Sequence, residues 1–329
     1  MYFFSPKFFT FRVILIFSTL LFTGCSLSNT ASNSTDSLEN AVESAVPENT
    51  LLEEDSVYFG VLAIDSAMSV NERYRPLMQY LSTEIQRPVE LVILSQEDQF
   101  TKVEEGILDF STTNPLAAVQ IQRLYETEFI LTHIRPKTGT KFSGLIIVNS
   151  DSEISSIKDL MGKRAACVDF QTAAAGCTFQ IYHLIQNGFD PYEDFDSFIE
   201  NKSQDNIVLA VLNGAIDVGF IRTGQLEKMV ENGSLSSLDD VRIIDVADSD
   251  FLYPHTTNLY PEWPVAALKD TDPELIEEVR SALVKLTPDH PALVNLRVDG
   301  FVSAVDYTSL NQLIETLELK SWDASNSSR

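Results

Sequence analysis

The stretch RAACVDFQTAAAGCTFQIYHLIQNG, residues 164–188, reads as one strand–loop–helix unit. Arg164 to Val168 has the composition of a buried strand. Four small residues follow, Ala173, Ala174, Ala175 and Gly176. A helix then places Ile181, Leu184 and Ile185 on one side and stops at Gly188. Helices that begin after small-residue loops bind anions through N–H groups that have no partner inside the helix. Around the small residues the loop carries Thr172, Cys177 and Thr178, and few other donors.

The same alternation extends in both directions. Upstream, Val57 to Ile64 is a strand, and Tyr74, Leu77, Met78, Leu81 and Ile85 form one helical stripe before Pro88. Val89 to Leu94 is a strand, a short helix carries Phe100 and Val103, and Ile107 to Ser111 is a strand. Thr112-Thr113-Asn114-Pro115 then opens a helix to about Glu126, and Phe129 to Thr132 is extended. This β-α-β-α-β-α-β order predicts a mostly parallel sheet with helices on both faces.

The pattern restarts at Leu145 to Val148. It runs through the quoted unit and the strands Phe195 to Ile199, Val218 to Ile221 and Val241 to Val246. After DSDFLYPHTTNLYPEW, residues 248–263, come a strand from Val265 to Leu268 and a helix capped at Asp272-Pro273-Glu274. The fold class is therefore α/β, with two α/β lobes around a ligand cleft. Residues 56–147 with 258–321 are assigned to lobe 1, residues 148–257 to lobe 2, and 322–329 to a tail.

The chain start has its own signature. Lys7 and Arg12 precede an apolar run, VILIFSTLLF at 13–22, which is too short to span a bilayer and suits a signal peptide. FTGC at 22–25 resembles a bacterial lipobox, so residues 1–24 are expected to be a signal peptide and Cys25 a lipidation site. The Ser-, Asn- and Glu-rich segment up to residue 55 buries too little apolar surface to fold and reads as a tether. The expected location is extracytoplasmic, lipid-anchored to a bacterial membrane and facing the periplasm or the exterior.

Cleavage removes Lys7 and Arg12 and no acid, taking the net charge from −25 to −27. That makes nucleic acid and acidic lipid surfaces poor partners, and no nucleic-acid partner is expected, because long-range repulsion opposes both. A small anion in a local site is not excluded, since the field is screened beyond about a Debye length. A monomer is expected. Cys167 and Cys177 can form a disulfide or stand as two separate thiols, and the residues leave both open.

Catalytic and cofactor motifs are missing. There is no G-x-G-x-x-G after a strand, no P-loop, no H-E-x-x-H and no G-x-S-x-G. His133, His183, His255 and His290 show no metal-ligand spacing. No enzyme activity, cofactor or metal is expected. What remains is loops at strand ends, where open α/β sheets place ligands. Thr113 and Asn114 offer a hydroxyl, an amide and a helix start. Thr172, Ala174, Ala175, Gly176, Cys177 and Thr178 offer mainly backbone donors. Arg222 and Thr223 put a guanidinium fork after a buried strand. His255, Thr256 and Tyr74 are candidates for the rim.

Several longer stretches carry a family resemblance. ISSIKDLMGKRAACVDF (154–170), NGFDPYEDF (187–195) and VLNGAIDVGFIRTGQLEKMVENGSL (211–235) resemble the phosphate/phosphite/phosphonate-type, PhnD-like periplasmic solute-binding proteins. HTTNLYPEWPVAAL (255–268) and DGFVSAVDYTSLNQLIETL (299–317) look most like the branch shared with sensor regions of tetrathionate-type histidine kinases. The resemblance covers roughly residues 57–320 and implies a type II periplasmic binding fold whose lobes close over a small oxyanion. Where many family members carry Ser-Thr-Ser-Gly, this chain has Ala173-Ala174-Ala175-Gly176. That departure disfavours a tightly held phosphonate and favours a larger, softer sulfur oxyanion.

No spanning helix or kinase module follows in the sequence, so cargo or signal is expected to pass to an ABC permease or to a sensor kinase. The rival reading from the residues is a periplasmic thiol enzyme using Cys177, because a cysteine at a helix start has a lowered pKa.

Overall fold

The computed structural model describes residues 55–319, apart from 65, 97 and 202. The expected signal peptide, Cys25, the tether up to residue 54 and the tail from 322 lie outside the described residues. Among the described residues no helix is long and apolar enough to cross a membrane.

In chain order the strands are β1 (Val57–Leu62), β2 (Val89–Leu94), β3 (Phe110–Thr112), β4 (Glu128–Ile134), β5 (Lys141–Phe142), β6 (Gly144–Asn149) and β7 (Arg164–Cys167). They continue as β8 (Ser197–Glu200), β9 (Val218–Arg222), β10 (Val241–Ile244), β11 (Tyr260–Pro261), β12 (Pro264–Ala267) and β13 (Gly300–Ser303). The helices are α1 (Ala67–Ile85), α2 (Gln99–Glu104), α3 (Pro115–Tyr125), α4 (Phe179–Gln186) and α5 (Pro191–Asp194). Then come α6 (Gln204–Leu212), α7 (Gln225–Glu231), α8 (Pro273–Val284), α9 (Pro291–Val294) and α10 (Thr308–Thr316).

Two main sheets form, in the orders β13-β4-β12-β3-β1-β2 and β10-β6-β9-β7-β8. The core pairings are parallel as expected: β1 with β2 and β3, β7 with β8 and β9. Both sheets are nevertheless mixed. β12 runs antiparallel to β3 and β4, β13 to β4, and β6 to β9 and β10. The reason is connectivity. β6 and β12 each enter a lobe from the other one and start at the end where the parallel strands finish, so they run the opposite way; β13 follows β12 through α8 and α9 and keeps its direction.

The chain crosses between the sheets twice, through residues 135–143 and 245–263, and these segments meet in a small β5–β11 pair. The division expected after residue 147 falls inside β6, which pairs wholly within the second sheet. Residues 144–147 therefore go with lobe 2.

Local signals explain the helices. Ser66 caps α1 by accepting from Ser69 N, and Val70, Tyr74, Leu77, Met78, Leu81 and Ile85 form its buried stripe. Asn114 caps α3 by accepting from Ala117 N, with Pro115 at the first position. Each sheet has its own core, one around Phe59, Leu77, Phe110 and Val279, the other around Ile146, Ile181, Val218 and Phe220. A third apolar cluster joins the lobes along the crossing segments. It combines Leu116 and Val119 of α3, Phe142, Ala174, Ala175, Phe179, Tyr260, and Leu310 and Leu313 of α10. Phe179 stacks on Tyr260 with ring centroids 3.8 Å apart.

Candidate binding cleft and its donor loop

The loop from 168 to 178 is built by its own bonds. Asp169 Oδ1 accepts from the N–H groups of Gln171 and Thr172, and Val168 N donates to Gly176 O. Cys167, at the end of β7, is disulfide-bonded to Cys177, with Cα atoms 5.0 Å apart. Thr178 N donates to Ala173 O, giving a wide turn over Ala174–Thr178 that runs directly into α4. A helix start leaves its first N–H groups without intrahelical acceptors. Among the described residues, no acceptor faces the N–H groups of Ala174, Ala175 and Gly176.

Two glutamines bring this loop to Arg222. Gln180 is fully buried, and its Nε2 lies 2.8 Å from Ala175 O, 2.9 Å from Ile221 O and 3.1 Å from Leu145 O. It fits because residue 144 is glycine: a Cβ there would sit 2.5 Å from Gln180 Nε2. Gln204 Oε1 accepts from Arg222 N at 2.8 Å, and its Nε2 is 3.3 Å from where a Cβ on Gly176 would lie. The donor loop and the Arg222 end of β9 are thus tied side by side in lobe 2. Neither glutamine belongs to a motif. The sequence signal was a polar residue at the buried start of an apolar helix, which spacing alone does not distinguish from a surface position.

Other expected site residues are placed differently. Thr172 Oγ1 faces Asp169 Oδ1 (2.9 Å) and Gln96 Oε1 (3.0 Å), and Thr178 Oγ1 lies 3.3 Å from the carbonyls of Ala173 and Ala174. Thr113 Oγ1 donates to Gln99 Oε1 at 2.6 Å, and Thr256 Oγ1 to Ile244 O at 2.7 Å. Asn114 spends both ends of its amide, on Ala117 N and on Thr172 O. Thr223 Oγ1 accepts from Ser143 N, leaving its own proton for another acceptor.

The two rim candidates both lie in the interior. Tyr74 is buried where α1 packs on the sheet, with Arg73, Arg135 and Glu262 acting on its hydroxyl. His255 has Nδ1 2.7 Å from Thr257 O and Nε2 2.6 Å from Ser249 Oγ. The free-thiol reading of Cys177 needs correction. Its sulfur is bonded to Cys167, so the thiolate reading falls.

Lobe 1 contributes a polar corner that the sequence did not signal. His133 is buried, with Nε2 3.3 Å from Thr112 Oγ1 and its ring edge-on to Phe301. Arg135 Nε lies 3.4 Å from Glu262 Oε2, and its guanidinium sits 6.0 Å from the Trp263 ring centre. Burial, helped by Arg135, holds the His133 pKa well below the usual imidazole range. A histidine kept neutral by folding stabilises fully above its unfolded pKa of about 6.5, and that contribution is lost as pH falls below it. Stability is therefore expected to fall between pH 6.5 and 5. Denaturant titrations at both pH values should show it, and His133→Gln should flatten the difference.

Comparisons with known proteins give the family and the fold. Residues 59–308 match the model of a family described as ABC transporter, phosphonate, periplasmic substrate-binding protein. The chain belongs to this family. Its fold is the type II periplasmic binding fold. Among solved structures, PhnD1 from Prochlorococcus marinus in complex with methylphosphonate superposes with a TM-score of 0.67 at 17% identity, covering 80% of this chain and 99% of that one. A binding protein component of an ABC phosphonate transporter from Pseudomonas aeruginosa gives 0.64 at 17% identity, covering 82% and 86%.

A curated relative is the tetrathionate sensor histidine kinase TtrS of Salmonella typhimurium, 24% identical over 229 residues. That match covers 68% of this chain and 38% of the kinase's length. Periplasmic substrate-binding proteins act outside the cytoplasm, and this family places the chain there. The N–H groups of Ala174, Ala175 and Gly176 lie in a loop whose neighbouring threonines, Thr172 and Thr178, are engaged with protein acceptors.

Proposed function

We propose that this protein captures a small oxyanion between the 174–176 N–H groups and Arg222 and delivers it to an ABC permease. The observation that carries the proposal is the juxtaposition in lobe 2. Three buried N–H groups at a helix start, with no acceptor among the described residues, are fixed beside the strand that ends at Arg222. Buried N–H groups require an acceptor, and a helix start beside a guanidinium attracts a negative one. Thr223 supplies a hydroxyl from the same strand end. The protein works by binding rather than by catalysis, and is held to the membrane through Cys25.

The alanines and the engaged threonines favour a softer anion, a sulfur oxyanion, over a phosphonate that needs several O–H donors. The match to a tetrathionate sensor kinase supports a second outlet, presentation of the occupied form to a sensor. A thermal-shift screen of the full chain tests the ligand class with phosphate, phosphite, methylphosphonate, sulfate, thiosulfate and tetrathionate. A ligand of the folded form raises the melting temperature by mass action. At least one oxyanion is expected to do so, the sulfur oxyanions more than methylphosphonate. No shift with any of them contradicts the proposal.

A further inference from the structure

Lobe 1 takes hold of the donor loop through amide side chains. Gln96 Oε1 lies 3.0 Å from Thr172 Oγ1, Asn114 Nδ2 donates to Thr172 O at 3.0 Å, and Gln120 Nε2 to Gln171 O at 3.3 Å. Behind them Gln99 Nε2 reaches Gln96 O (3.1 Å) and Gln96 Oε1 (3.2 Å), while Gln99 Oε1 accepts from Thr113 Oγ1. Gln99 and Gln120 have no exposed surface. Beside this network Leu116 and Val119 pack in one apolar cluster with Ala174 and Ala175. The bonds of Gln96, Asn114 and Gln120 and the packing of Leu116 and Val119 join the two lobes, while Gln99 braces Gln96 and Thr113 from within lobe 1.

We propose that Gln96, Gln99 and Gln120 are positioning residues that clasp the lobes and set the donor loop in its binding geometry before an anion arrives. This rests on the oxyanion reading of the loop. The small side chains at 174 and 175 then have a second purpose, allowing the start of α3 to approach the turn. Apparent affinity scales with the fraction of molecules already in the competent arrangement, so the clasp strengthens every anion by the same factor. Two amide oxygens, Gln120 Oε1 and Gln171 Oε1, are buried with no partner among the described residues. Unpaired buried acceptors oppose closure, which keeps the clasp reversible and lets the anion enter.

Hydrogen–deuterium exchange on the full chain without added anion tests the clasp. Peptides covering 112–126 and 169–180 are expected to exchange slowly. In the double variant Gln96→Met with Gln120→Ala both are expected to speed up together by about tenfold, the scale of one or two lost hydrogen bonds. Peptides covering β1 and β9 should not change. Each anion that binds should weaken in the double variant by one common factor.

Fast exchange of the 169–180 peptide until an anion is added overturns the clasp. So does acceleration of one peptide without the other. The exchange readout uses no ligand, so it stands or falls separately from the anion screen.

Discussion

Arg222→Ala is expected to weaken oxyanion binding by about 30-fold or more and to abolish the thermal shift. Arg222 closes β9, and its backbone N–H is fixed by Gln204 Oε1 at 2.8 Å, so the side chain leaves the sheet from a defined point. Ile221, one residue before it, shares Gln180 with Ala175, which sets the strand end against the donor loop. A guanidinium in that position meets an oxyanion with two parallel N–H donors and a full charge. Its removal leaves the anion with the helix start and the Thr223 hydroxyl, and truncating one partner of a hydrogen-bonded charge pair costs about 2–5 kcal/mol. Arg222→Lys keeps the charge without the fork and should fall between, roughly tenfold weaker. Isothermal titration of both variants checks this. An Arg222→Ala affinity within threefold of the original would remove the guanidinium from the site.

The second large effect is on stability. Cys167 and Cys177 are both fully buried in the lobe 2 core, and their bond closes the loop that carries the donors. A cross-link over a loop this short stabilises by roughly 3 kcal/mol, mainly by restricting the unfolded chain. The variant carrying Cys167→Ala and Cys177→Ala should therefore unfold at a temperature lower by roughly 6–12 °C, at about 2–4 °C per kcal/mol for a protein of this size. A dithiol reductant should act on the original protein only as it unfolds, because neither sulfur is exposed. Calorimetry with and without reductant reads both effects. A melting temperature unchanged within about 2 °C in the double variant would contradict the role given to the bond.

How far the sequence carried the reading depends on which physical signals are local. The α1 stripe of Tyr74, Leu77, Met78, Leu81 and Ile85, and the cap at Asn114, follow from periodicity and short-range bonding, and both are present. The reversed strands β6 and β12 were not legible, because their direction is set by where the chain re-enters a lobe, and β13 inherits the direction of β12. Cysteine spacing left a disulfide and two thiols equally open; the proximity of the β7 end to the α4 start decides between them. The donor loop was legible as a helix start after small residues. The engagement of Thr172, Thr178 and Thr256 was not, since their partners lie in the loop's own fold and in other strands. Gln96, Gln180 and Gln204 escaped for the same reason: an amide that ties loops together carries no spacing. The Arg135–Glu262 pair joins residues far apart in sequence, on the two crossing segments, and the β4–β12 and β5–β11 pairings bring them into one place.

The claim that an anion rests on the 174–176 N–H groups is tested most directly by amide-resolved NMR. The full chain, labelled with nitrogen-15, would be titrated with thiosulfate and, in parallel, with methylphosphonate. The amide resonances of Ala174, Ala175 and Gly176 are expected to move downfield and saturate with thiosulfate, with the Arg222 Nε–H resonance following the same curve. If those four resonances stay fixed while either anion binds, the anion site lies elsewhere and the account given for this loop is wrong.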